Sequence, residues 1–128
     1  MAKHNEIGKI GEKIAQTFLM KHGFCIRAVN ERFKYGEIDI IAEKDNNLHF
    51  IEVKSVEIRD LKDISRLYIQ PEDNMTFWKK RKFKRAIEIY ISNSPSINDT
   101  KIKIDLVCVY VNTETREGRV KFTENIEL

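Results

Sequence analysis

Apolar residues recur at two different periods along this chain, and the changes of period divide it into elements. From Asn5 to His22, Ile7, Ile10, Ile14 and Phe18 return every three or four residues, which predicts an amphipathic helix stopped by Gly23. Gly8, Glu12, Ala15 and Leu19 form the neighbouring column on that helix. Glu12 therefore sits on the border of the buried stripe, either as a boundary residue paired with a lysine or as a functional carboxylate. Gly8 and Gly11 beside it each weaken a helix by roughly 1 kcal/mol against alanine, so something packs close there or needs access. Phe24 to Asn30 reads as a first, weakly patterned strand, and Glu31 to Gly36 as a basic, aromatic connection.

Gly36 to Ala42 and Leu48 to Lys54 alternate with a period of two, and Lys44-Asp45-Asn46-Asn47 between them is turn material, which predicts an antiparallel hairpin. In the second run His49, Ile51 and Val53 face a core, while Leu48, Phe50, Glu52 and Lys54 share the other face. On that face charge arrives where the pattern asks for another hydrophobe. A turn centred on Asp45 and Asn46 sets Asp39 opposite Glu52. Carboxylates so placed have Cβ atoms about 5 Å apart and repel, a sign that a divalent cation reverses. A turn centred on Asn46 and Asn47 keeps both faces but sets Asp39 opposite Lys54, as an ordinary cross-strand ion pair.

Ser55 to Asn74 mixes charges of both signs and reads as a long functional loop. Met75 to Ser92 is the second helix, with Asn74 as its N-cap and Phe83, Ile87, Tyr90 and Ile91 as its buried stripe. After a loop around Pro95, Lys101 to Val111 alternates with both faces apolar beyond Asp105, the signature of a central strand. Asn112 to Gly118 is a turn and Arg119 to Thr123 a short edge strand. The order α-β-β-β-α-β-β predicts an α/β fold, a mixed five-stranded sheet flanked by helices, in one domain spanning residues 1–128.

Composition narrows the function classes. A chain of 128 residues buries a core of its own without disulfide or metal staples. Its polar start, and the lack of any apolar run near the roughly 18 residues that a membrane span needs, point to the cytoplasm and away from a membrane. Cys25 and Cys108 lie far apart in strand-like segments and read as two buried, reduced thiols. His4, His22 and His49 lack zinc-ligand spacing. A net charge of +3 decides nothing by itself, but Lys79, Lys80, Arg81, Lys82, Lys84 and Arg85 put six cations into seven positions. That cluster is either a solvated helix face or a surface for a phosphate backbone.

Gly11-Glu12, Asn30-x-Arg32, Gly36-Glu37-Ile38-Asp39, Ile51-Glu52-Val53-Lys54, Lys79 and Ile104-Asp105-Leu106 occur in this order. As an ordered set they resemble the YraN-like family of predicted endonucleases, related to Holliday-junction resolvases within the PD-(D/E)XK nuclease superfamily. The resemblance implies a restriction-endonuclease-like fold and an endonuclease dependent on Mg2+ or Mn2+, acting on DNA, with branched or structured DNA among its substrates. It implies that Asp39 and Glu52 hold the metal, with Glu12 as a third carboxylate and the Val53 carbonyl as a further ligand. Lys54 would orient or deprotonate water, or stabilise the phosphorane charge. Arg32, Lys79, Lys80, Arg81 and Lys84 would contact the nucleic acid. The alternative is a non-catalytic nucleic-acid-binding module on the same fold, and a homodimer is left open. Where that family continues Glu-Val-Lys-Thr-Arg, this chain has Ser55 and Val56.

Overall fold

In a computed structural model, which describes residues 2–34, 36–59, 77–94 and 101–126, the central hairpin is set by its turn. Asp45 and Asn46 both take left-handed backbone, with φ of 52° and 63°, as a two-residue hairpin turn requires and as these side chains tolerate. Strands β2 (Gly36–Lys44) and β3 (Asn47–Glu57) consequently pair Ile41 with Phe50 and Ile40 with Ile51. This is the first of the two registers open in the sequence.

Strand β1 (Cys25–Phe33) pairs antiparallel with β2 and runs three residues beyond the expected end. Asn30 was its natural terminus by pattern, yet it takes φ 51° and the chain resumes pairing at Glu31, Arg32 and Phe33. Helix α1 (Ala2–Lys21) precedes the strands and α2 (Phe77–Ser92) follows them. Beyond α2, β4 (Lys101–Val111) pairs parallel with β3, and β5 (Gly118–Thr123) closes the sheet antiparallel. The sheet order is β1-β2-β3-β4-β5 and the element order is α-β-β-β-α-β-β, with α2 inside the long connection that a parallel pair needs.

Each face of the sheet has its own apolar layer. Ala15 and Leu19 of α1 lie on Ile40, Ile51, Val107 and Val109. Phe83, Ala86 and Ile87 of α2 lie on Ile38, Ile41, Phe50 and Leu106. Strand β4 feeds both layers from alternate positions, which explains its apolar character on both faces.

The buried column of α1 is Ile7, Gly11, Ala15 and Leu19, whereas Ile10, Ile14 and Phe18 of the expected stripe are half-buried. Backbone approach selects the small residues: a methyl group on Gly11 would overlap Ser55 Oγ and stand 2.8 Å from its Cβ. Gly36 does the same for α2, since a Cβ there would lie 2.6 Å from the Lys82 carbonyl oxygen. Cys108 is buried as expected, but Cys25 is exposed at the start of an edge strand, and both are free thiols. The mixed-charge stretch continues β3 as far as Glu57, while residues 60–76 with the Asn74 cap, and the Pro95 loop, lie outside the described residues. No described helix is long and apolar enough to cross a membrane.

Candidate active site

The β2–β3 ladder ends at Ile40 and Ile51, and the strands fork beyond it. Val53 N–H has no strand partner on that edge and donates instead to Asp39 Oδ2 at 2.8 Å. Both backbone groups of a strand residue point to the same edge, so the Val53 carbonyl opens onto the fork as well. Strict alternation lapses here: Ile38 joins the α2-side layer and Ile40 the α1-side layer, although they are two residues apart. Asp39, between them, reaches across the gap.

Glu52 meets it there. Its side chain is only 12% exposed, with Lys79 Nζ 3.7 Å from its Oε1, and it lines the same cleft as Asp39. Ionisation of one acid disfavours ionisation of the other. Burial raises Asp39 from its usual 3.8 to about 6, partly offset by the Val53 N–H. Burial, then repulsion from Asp39, raises Glu52 from 4.5 to about 8 against the pull of Lys79. A cleft of about 590 Å³ surrounds the pair, with Gly8, Glu12, Lys54 and Lys79 among its lining. The Asp39–Lys54 ion pair of the second register does not form, and among the described residues Lys54 has no ion-pair partner.

Raised acids have a consequence for stability. The folded protein holds these protons more tightly than the unfolded chain, so their contribution is complete below about pH 4 and is lost as pH rises through about 6 to 8. The melting temperature of metal-free protein should therefore fall between pH 5 and pH 8.5, and millimolar Mg2+ or Mn2+ should reduce that fall. Thermal melts across pH with and without the cation check this; a curve that rises with pH, or is untouched by the ion, contradicts it.

Glu12 enters the same cleft from α1 but is engaged elsewhere. With its amide nitrogen turned inward, Asn30 donates to Glu12 Oε1 at 3.0 Å and to Glu37 Oε1 at 3.3 Å. The left-handed backbone of Asn30 places that amide between the two acids. Glu12 adds negative potential at Asp39, but among the described residues no three His, Cys, Asp or Glu side chains gather around one point. The expected third carboxylate thus stands beside the pair, held by Asn30, and the convergent oxygens are those of Asp39 and Glu52. With no imidazole or thiol among the described lining residues, this donor set suits a hard cation such as Mg2+ or Mn2+.

The basic helix divides its cations. Lys79 continues the buried column of Phe83 and Ala86 by one turn, which carries its ammonium to Glu52. Arg81, Lys82 and Arg85 line a second groove together with Arg32 and Trp78. Lys80 and Lys84 line neither cavity. The sequence reading missed Asn30 as a bridge and Trp78 altogether; the one available signal for the latter was a lone tryptophan in the first turn of a basic helix. It also missed the buried contact of His49 Nδ1 with Asp105 Oδ2, at 2.5 Å, whose partners are 56 residues apart.

The family described as "Uncharacterised protein family UPF0102" matches residues 11–109, a span that includes Glu12, Asp39, Glu52, Lys54 and Lys79. A UPF0102 protein of Flavobacterium psychrophilum is 33% identical over 125 residues, covering 98% of this chain and 96% of the relative. One from Clostridium botulinum is 34% identical over 122 residues, covering 95% and 94%. One from Bacteroides thetaiotaomicron is 35% identical over 109 residues, covering 85% and 83%. With a matching span that runs from α1 to β4 and relatives that align nearly end to end, this chain belongs to the UPF0102 family, the YraN-like family that its ordered motifs resemble.

Proposed function

We propose that this protein is a divalent-metal-dependent endonuclease that hydrolyses phosphodiester bonds of DNA, branched or otherwise structured DNA included. The observation that carries the reading is the half-buried pair of Asp39 and Glu52 in one cleft at the fork of β2 and β3. Two acids that repel in a half-enclosed cleft oppose folding unless they serve something, and a cation between them turns repulsion into binding. Asp39, Glu52 and the Val53 carbonyl would hold it. A bound Mg2+ or Mn2+ would supply Lewis acidity, screening the anionic phosphodiester and acidifying water.

The chain's own groups supply the rest. Val53 N–H fixes one oxygen of Asp39 so that the other faces the cleft. Lys54, which lines the cleft, orients the attacking water or meets the charge that grows on the phosphorane. Among the described residues nothing lies within 4 Å of the place a side chain on Gly8 would occupy, which keeps the cleft open on the α1 side.

A second reading has its own observation. The Lys79 ammonium beside Glu52 is an internal counter-charge, as expected of a nucleic-acid-binding module that keeps the fold without turnover. Cleavage decides between them. A DNA substrate offering duplex and branched regions should be cut in Mn2+ or Mg2+ and left intact in EDTA. Lys54→Ala should slow that cleavage by about 10² or more while binding, measured in Ca2+, stays within a factor of two. Cutting by Lys54→Ala at the parental rate removes the lysine from the chemistry, and a parent that binds DNA but never cuts it favours the module.

A further inference from the structure

Trp78, Arg81, Lys82 and Arg85 recur at i, i+3, i+4 and i+7, one face of α2. Opposite them stand Arg32 and Phe33 at the end of β1, and the two rows enclose a groove of about 780 Å³. Its depth depends on Gly36, which lets the α2 backbone come down onto β2 at Lys82. Trp78 is 66% exposed, more than any other large apolar side chain among the described residues, and it is the only tryptophan in the chain. An indole so exposed amid guanidinium and ammonium groups is a poor choice for a solvated helix face. It suits a planar, anionic guest, for which aromatic stacking and phosphate pairing act together.

The groove adjoins the acid cleft. Asn30 bridges Glu12, which lines the cleft, and Glu37, which lines the groove. Lys79 in the cleft and Lys82 in the groove are one helical turn apart. A strand seated on Trp78 would reach Asp39 and Glu52 past Asn30 and Glu37.

We infer that this groove holds an unpaired segment of a nucleic-acid strand, a base stacked on Trp78 and its phosphates against Arg81 and Arg85. The favoured substrate is then DNA in which a single-stranded stretch adjoins the scissile bond, rather than a continuous duplex. A stacked duplex hides its base faces and cannot use the indole; a splayed strand can. That the strand is cut where it leaves the groove rests on the nuclease reading. That the groove holds it does not.

The single tryptophan makes the contact directly visible. In EDTA, an eight-nucleotide oligothymidylate should quench the intrinsic fluorescence of the protein, and a blunt duplex of the same length should quench it far less. By anisotropy, Trp78→Ala should bind the single strand about tenfold more weakly with duplex affinity unchanged, and Trp78→Phe should retain most of the affinity. Arg81→Ala should lower the slope of log affinity against log salt for the single strand by about 0.7. Circular dichroism melts confirm that the variants fold; should Trp78→Ala fail to, the quench and the Arg81→Ala slope still decide. Single-strand affinity within twofold of the parent in Trp78→Ala, equal losses on both substrates, or an absent quench with an unchanged slope each overturn the proposal. The two readings separate cleanly: quenching without any cleavage in Mn2+ leaves the groove and removes the nuclease, while cleavage with an indifferent Trp78→Ala does the reverse.

Discussion

Glu52→Gln should reduce metal-dependent cleavage by about 10³ or more, since a metal that polarises a phosphoryl oxygen contributes several kcal/mol to transition-state stabilisation and each 1.36 kcal/mol is tenfold in rate. Asp39→Asn should do the same. The two acids are the convergent oxygens of the cleft, and an amide offers a cation one neutral oxygen in place of a charged one. Loss of activity alone would not separate a ligand from a structural residue, so stability is the second readout. In the metal-free protein at pH 8 the pair is a desolvated, mutually repelling couple, and a neutral isostere relieves it. Glu52→Gln should therefore raise the melting temperature of the apo protein at pH 8 while abolishing its increase on adding Mn2+. Lys79 loses a partner in that variant, but its side chain is 44% exposed, and an ion pair so hydrated contributes little. Calorimetric titration of Mn2+ completes the set. A variant that still binds Mn2+ like the parent, or one that is destabilised at pH 8, would remove Glu52 from the metal site.

Much of this arrangement is legible in the sequence because a few periodicities leave little choice. Strand β4 has its expected bounds, Lys101–Val111, since alternation with both faces apolar admits no other element. The hairpin was legible except for its register, because a slip of two residues preserves both faces; the left-handed φ of Asp45 and Asn46 settles it. The division of cations around α2 follows in outline from 100° per residue, but the groove depends on how closely Gly36 admits the helix, which no periodicity encodes. For the same reason the centre of the buried face of α1 is turned away from Ile10, Ile14 and Phe18, which still pack at the edge of the core. Hydrophobicity ranks the isoleucine stripe first, whereas contact with β3 at Ser55 demands small volume and selects Gly11 and Ala15. Asp39 is the instructive case: alternation assigns it to one face of the sheet, while its carboxyl lies in the fork where the ladder has ended. A pattern rule fails where the strands part, which is also where the sheet has room for chemistry.

Asp105→Ala should destabilise the protein by about 2–5 kcal/mol, because two donors lose a buried acceptor at roughly 1–3 kcal/mol each. Asp105 has no exposed surface and both its oxygens are used: Oδ2 accepts from His49 Nδ1 at 2.5 Å and Oδ1 from the Asn125 N–H at 3.0 Å. The carboxylate thereby joins three segments, since His49 lies on β3, Asp105 on β4 and Asn125 just beyond β5. Truncation removes the acceptor for two donors at once, and the His49 ring, whose centroid is 4.8 Å from that of Phe24, has little room to turn elsewhere. Asp105→Asn should lose less, because an amide oxygen still accepts one of the two bonds. The double variant His49→Phe with Asp105→Leu is the sharper test. If the loss in Asp105→Ala comes from stranded polar groups and not from lost packing, replacing both partners by apolar groups of similar volume should recover most of it. Urea unfolding of the three variants measures this. Mn2+ affinity well below the melting temperature should stay unchanged throughout, because His49 and Asp105 line a separate cavity from the cleft of Asp39 and Glu52. A loss under about 1 kcal/mol for Asp105→Ala, or a double variant no better than the single one, would show that the sheet does not depend on this clamp.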